Sequence, residues 1–358
     1  MKILIGADVV PTATNEIDFI NGNAENLLGS ELKKIVDSAD FIIANLEVPL
    51  TNVENKLTKS GPNLIAKEET INGYKALGID LLCLANNHVL DQGKQGFLST
   101  LRVLKENNFA YIGGGESQEE ACKPYVIESN GKFIGVYNCC EHEFSWARDY
   151  GIGSNGFDPF ESLDEIYNLK QKVDYCIVLY HGGREEYRYP SPYLRKATRK
   201  MIDKGADLVI CQHTHCVGCE EDYNGGKIIY GQGNFIFDLA GRSEAWETSI
   251  LITIDTEDDY KIDYIPIEKN APYIKLSNNA DILKGYFDRT EEIKEDGFIL
   301  RKYKEFSLRN YPNAFGSFVN EDVVKGPRRK AFENYMRCEP HREAILIRLE
   351  VEDENDNV

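Results

Sequence analysis

Long apolar runs are what this sequence most plainly lacks. None of its 358 residues lies in a stretch that approaches the roughly 18 consecutive apolar positions of a membrane-spanning helix, so no membrane span is expected. The opening, Met1 to Asp8, holds one lysine and too few apolar residues for the core of a secretory signal, and it reads as a first strand. Positive charge is also in short supply. Lys and Arg number 41 against 59 Asp and Glu, a formal net charge of −18, and such a surface repels DNA, RNA and anionic lipid, so no nucleic-acid partner is expected. A disulfide framework is missing too. Nine cysteines, an odd number in a large chain without an export signal, read as reduced thiols and point to the cytoplasm, with membrane attachment only through a partner. Repeats and low-complexity segments are absent.

What is present is alternation. Short apolar runs at 3–5, 41–44, 81–85, 133–137, 176–180, 208–211, 228–230 and 250–254 have the length and residue types of strands buried on both faces. Helical patterns lie between them. One follows Asp91-Gln92-Gly93 and repeats Phe97, Leu101 and Leu104 on one face. Another opens at Ser191-Pro192, a good N-cap with proline at the first helical position, and its inner face is Leu194, Ala197, Met201 and Ile202. Strand–helix alternation predicts an α/β fold. The pattern changes near Pro266, and charged helical stretches around 282–293 and 300–308 follow. The expected organisation is a domain over 1–270, a mostly helical extension over 271–350 and an acidic tail over 351–358.

There are six histidines, and four of them (His88, His181, His213, His215) stand just after strand-like runs. Asp8, Asn45, Glu47 and the pair Asn86-Asn87 occupy similar places. In α/β sheets ligands bind beyond the carboxyl ends of strands, and mixed carboxylate, amide and imidazole donors suit a divalent metal. A lone histidine or aspartate at such a position is ordinarily a hydrogen-bonded core residue or a cap; five strand ends doing the same argue for a metal site.

Read as blocks, these residues are Gly6-Ala7-Asp8, Ala44-Asn45-Leu46-Glu47, Asn86-Asn87-His88-Val89-Leu90-Asp91-Gln92-Gly93, His181-Gly182-Gly183-Arg184-Glu185, Gln212-His213-Thr214-His215 and Gly231-Gln232-Gly233-Asn234-Phe235. In this order they resemble the motif set of the CapA family, the capsule and poly-γ-glutamate branch of the calcineurin-like metallophosphoesterases, over about residues 3–266. The resemblance implies a four-layer α/β/β/α sandwich around one or two divalent ions (Mn, Fe or Zn). Asp8, Glu47 and His215 would hold one ion. Glu47, Asn87, His181 and His213 would hold the other, with Glu47 bridging. His88 would be a general acid oriented by Asp91, a role that suits a histidine with a carboxylate partner. Asn45, Arg184 and Glu185 are the expected substrate contacts, since an arginine can grip phosphate or carboxylate through paired hydrogen bonds.

One departure stands out. The broader superfamily pattern begins Asp-x-His, and here it reads Asp8-Val9-Val10, so the first ion lacks one histidine. The function implied is a metal-dependent hydrolase of a phosphoester, phosphodiester or amide in capsule or envelope polymer biosynthesis, using a metal-bridged hydroxide as nucleophile. Its partner would be that polymer, a phosphorylated precursor or the capsule-synthesis machinery. Two alternatives are a non-catalytic accessory protein with a structural metal site and a small-molecule phosphodiesterase. Other signals read as bland: Cys216-Val217-Gly218-Cys219 has no second Cys pair to complete a zinc site, Glu141-His142-Glu143 reads as surface, and Asn234 reads as a loop-forming residue.

Overall fold

Alternate residues of the first strand serve two different cores. In the computed structural model, which describes residues 1–238, 243–270, 272–311 and 326–355, Ile3 and Ile5 of β1 (Lys2–Val10) face one buried cluster and Leu4 faces another. That is the two-residue period of a strand buried on both sides.

The larger sheet is ordered β16-β15-β14-β1-β2-β3-β4. Its parallel half is β1, β2 (Phe41–Leu46), β3 (Leu81–Cys83) and β4 (Ala110–Ile112). Its antiparallel half is β14 (Thr248–Asp255), β15 (Lys261–Asn270) and β16 (Tyr273–Leu276). A short β13 (Ile236–Phe237) also pairs with the end of β1. The second sheet is ordered β11-β12-β10-β9-β7-β6, made of β6 (Tyr125–Ser129), β7 (Lys132–Cys140), β9 (Tyr175–His181), β10 (Leu208–Gln212), β11 (Glu220–Tyr223) and β12 (Gly226–Ile229). A two-stranded ribbon joins β5 (Gly114–Gly115) to β8 (Gly153–Ser154).

The two sheets pack face to face through isoleucine, valine and leucine from β1, β2, β3, β7, β9, β10, β12 and β14. Helices α1 (Glu16–Asn21), α2 (Ala24–Val36), α3 (Ile71–Ala76) and α4 (Gly93–Glu106) cover the outer face of the first sheet. Short α5 (Gln118–Ala121) and α6 (Ala147–Tyr150) flank the ribbon, and α7 (Glu161–Lys170) with α8 (Pro192–Asp203) covers the second sheet. The result is the four-layer α/β/β/α sandwich expected. The Ser191 hydroxyl accepts the Leu194 N–H at 3.1 Å, which is the N-cap read from the sequence.

The strands continue past residue 270, because β16 pairs with β15; helices begin at α9 (Ala280–Glu292) and go on through α10 (Phe298–Asn310), α11 (Gly326–Arg337) and α12 (Glu339–Asn355). Of the tail expected over 351–358, residues 351–355 are helical and 356–358 lie outside the described residues. Among the described residues no helix is long and apolar enough to cross a membrane, and all nine cysteines are free.

Candidate metal centre

Every expected ligand sits at or just past the carboxyl end of a parallel strand: Asp8 late in β1, Glu47 after β2, Asn87 after β3, His181 closing β9, and His213 and His215 after β10. Because the sheets lie face to face, five loops empty into one place. Local backbone features allow it. β1 shifts register between Ile5 and Asp8, and Gly6 there leaves room for Phe235; a Cβ would stand 2.6 Å from its ring. His213 and His215 both adopt positive φ, 82° and 53°. For residues with a Cβ this is a strained backbone of the kind found at functional sites, and it lets two near neighbours in sequence reach one point.

Four atoms surround that point. His181 Nε2 lies 3.1 Å from Asn87 Oδ1, 3.2 Å from Glu47 Oε1 and 3.2 Å from His213 Nδ1. Atoms bound to one ion at roughly 2.0–2.2 Å stand about 3.0–3.5 Å apart, so this spacing fits a divalent cation. Glu47 also belongs to a second group with Asp8 and His215, whose donor atoms all lie within 4.8 Å of one another; His215 Nδ1 is 3.3 Å from Asp8 Oδ2. Both oxygens of Glu47 and Oδ2 of Asp8 are buried with no hydrogen-bond partner. A carboxylate stripped of water and left unpaired is costly, and a cation shared through Glu47 removes that cost. The donor set therefore fits two ions, with three candidate protein donors for one and four for the other.

Crowding of buried groups shifts their protonation. Burial, and then the charge of Asp8, pushes the Glu47 carboxyl above its ordinary range. Burial also acts to raise Asp8, but the adjoining His215 and His181 hold it below. His215 is lifted to about 9 against its burial by Asp8 and Glu47. Burial drops His181 to about 4; burial and then His181 drop His213 to about 3. Two imidazoles are thus kept neutral, the form that binds metal.

Around these residues lies a set of supporting side chains. Asn45, expected at the substrate, is wholly buried; it donates to Asp8 Oδ1 at 2.7 Å and accepts from Asn86 at 3.0 Å. Asn234 Oδ1 lies 2.8 Å from His215 Nδ1, and the Trp246 ring packs on the His215 ring at 4.1 Å between centroids. Glu141 and Glu143 are not surface residues. Both are buried: Glu141 Oε1 is 3.3 Å from His213 Nε2, and Glu143 accepts the Asn87 side-chain N–H at 2.8 Å. No motif spacing announces either one; they follow β7 and flank His142, in a stretch whose residue types suit a surface equally well.

His88 stands at the rim beside Asn87. Its Nδ1 is 2.6 Å from Asp91 Oδ2, as expected. The surprise is Lys59, almost wholly buried and ion-paired with the other oxygen of Asp91. Arg184, expected to face substrate, turns instead to the C-terminal helices. Its guanidinium is 3.1 Å from His341 Nε2 and lies over Phe306 and Tyr311. Glu185 shares with Arg184 a cleft of about 750 Å³ against α10, and its carboxyl is held below its ordinary range, against burial, by the neighbouring His213 and His215.

Residues 7–239 match the family model described as bacterial capsule synthesis protein PGA_cap. The chain belongs to that family. It is 31% identical over 212 residues to the PGA biosynthesis protein CapA of Bacillus subtilis, covering 58% of this chain and 56% of that one. It is 28% identical over 230 residues to the capsule biosynthesis protein CapA of Bacillus anthracis, covering 62% and 56%. The chain spans little more than half the length of these curated relatives. Among solved structures, a novel phosphatase from Mycoplasma pneumoniae aligns at a TM-score of 0.46 and 17% identity, over 81% of this chain and 98% of the other. All six candidate ligands of this PGA_cap chain, with Asn234 and His88, fall inside the matched segment. Asn334 of α11, Cys338 between the two helices and His341 of α12, which reach Glu143 and Glu141 beside the same site, fall outside it.

Proposed function

We propose that this PGA_cap chain is a metal-dependent hydrolase acting on a capsule or envelope polymer, or on a phosphorylated precursor of one. The observation that carries the reading is the doubly orphaned Glu47 between two clusters of ligand-type atoms. Asp8, Glu47 and His215 would hold one divalent ion, and Glu47, Asn87, His181 and His213 the other. Bound there, such ions supply an acidified water at neutral pH and positive charge against a transferring phosphoryl or acyl group.

The chain's own residues supply the remainder. Asp91 accepts the His88 Nδ1–H, which fixes the tautomer and leaves Nε2 to hold a proton for a leaving oxygen or nitrogen. Lys59 satisfies the second oxygen of Asp91, so the carboxylate stays in place when His88 changes charge. Burial of the ligand cluster keeps bulk water from its donor atoms, and Glu185 marks the side on which substrate reaches them.

The test is elemental analysis joined to turnover. Purified protein should carry Mn, Fe or Zn and hydrolyse at least one of a panel of chromogenic phosphate monoesters, phosphate diesters and γ-glutamyl anilides. His88→Ala should lose turnover by at least a hundredfold with its metal content nearly unchanged. Metal lost together with turnover in that variant would mean that His88 is a ligand. A second reading, an accessory protein whose ions only brace the fold, is favoured by Val10, an apolar core residue where the wider pattern has a ligand histidine. Bound metal without turnover on any substrate of the panel would select it.

A further inference from the structure

Asn87 is a side-chain amide, and only one of its two ends can bind a cation. Its Oδ1 lies among the donor atoms around His181, while its Nδ2 donates to Glu143 Oε2 at 2.8 Å. An ionised carboxylate only accepts hydrogen bonds, so Glu143 decides which way the amide points. Glu143 is in turn held from outside the family-matched segment: Asn334 of α11 donates to its other oxygen at 2.7 Å. Both carboxylate oxygens are therefore occupied. His341 of α12 lies 4.0 Å away. Asn334, Glu143 and Asn87 form a chain of buried groups that runs from a C-terminal helix to the ligand cluster.

We infer that Glu143 and Asn334 are positioning residues for the metal centre, and that the C-terminal helices complete it. The inference rests on the two-ion reading above. Groups that orient metal ligands commonly affect affinity by tenfold or more when removed; here the orienting group would come from a part of the chain that the family model does not reach.

Calorimetric titration with Mn²⁺ alone, on the full chain, tests it. Wild type is expected to bind, E143A to weaken the tighter site at least tenfold, and N334A to weaken it several-fold. E143Q keeps one acceptor but puts an N–H in place of the other, so its loss should fall between those of wild type and E143A. N334A added to E143A should change nothing further, because Asn334 acts only through Glu143. Equal affinity in wild type, E143A and N334A overturns the inference while leaving the metal centre standing. The same holds if N334A weakens binding equally with and without Glu143. If wild type takes up no Mn²⁺, the metal reading itself fails and this falls with it. Thermal melts of each apo variant check folding; if E143A does not fold, N334A decides the matter, and an affinity equal to wild type in N334A overturns the inference.

Discussion

Asp91 serves three neighbours at once. Its Oδ2 lies 2.6 Å from His88 Nδ1 and takes the Leu64 N–H at 2.6 Å, and its Oδ1 pairs with Lys59. Side chains of Lys59 and Asp91 are 2% and 0% exposed. Removing one member of a buried pair leaves the other charge stranded, which commonly costs about 3–5 kcal/mol. Lys59→Met should therefore lower the unfolding free energy by that order in denaturant titrations, while an exposed control such as Lys284→Met, whose partner is Asp288 on the same helix, should leave it nearly unchanged. Equal effects would mean that the Lys59 pair is not the structural anchor described. Nothing in the sequence pointed to Lys59: it lies between β2 and α3, in a stretch with no periodic pattern, and its meaning comes from where that stretch crosses the site.

The start of α8 is a small junction between two parts of the chain. Ser191 caps the helix, and beside it the Tyr193 N–H donates to Glu343 of α12 at 2.6 Å. Burial raises the Glu343 carboxyl to about 7 against the hydrogen bonds from Ser191 and Tyr193. A carboxyl with a raised folded pKa favours the folded state when protonated. Docking of α12 should thus be strongest below the unfolded carboxyl range, about 4.3, and should weaken as pH rises to about 7 and above. Glu343→Gln keeps an acceptor without the charge. At pH 8 it should stabilise the protein by on the order of 1–2 kcal/mol, and at pH 4 by close to nothing; a gain of equal size at both pH values would refute the charge argument. Ser191→Ala should cost about 1 kcal/mol through the lost cap.

Across the whole molecule, the two sheets together deliver two unequal groups of candidate ligands. Asp8, Glu47 and His215 would make one set, and Glu47, Asn87, His181 and His213 the other, so under the proposed function a Mn²⁺ titration should resolve a tight and a weaker event. His181→Ala should remove the tight event and His215→Ala the weak one. Metal bound only to the native fold adds stability by mass action, about 2.7 kcal/mol at a hundred times Kd. The melting temperature should accordingly rise with Mn²⁺ and fall back with chelator, and a melting temperature indifferent to both would deny a metal centre of this strength.

The eight apolar runs and the Ser191-Pro192 helix start were legible because buried strands and capped helices leave local patterns. Strands β15 and β16 were not, since a half-exposed strand such as β15 mixes charged with apolar residues. The six candidate ligands were legible as polar residues breaking off at strand ends. Glu141 and Glu143 beside them were not: glutamate suits a surface equally well, and burial alone assigns them otherwise. By itself the amino-acid order determined the layers and the donors, both products of short-range periodicity. Only the folded chain decided how closely those donors approach one another, which amide and imidazole atoms meet, and that Asn334 of α11 reaches Glu143, because those are contacts between residues far apart in sequence.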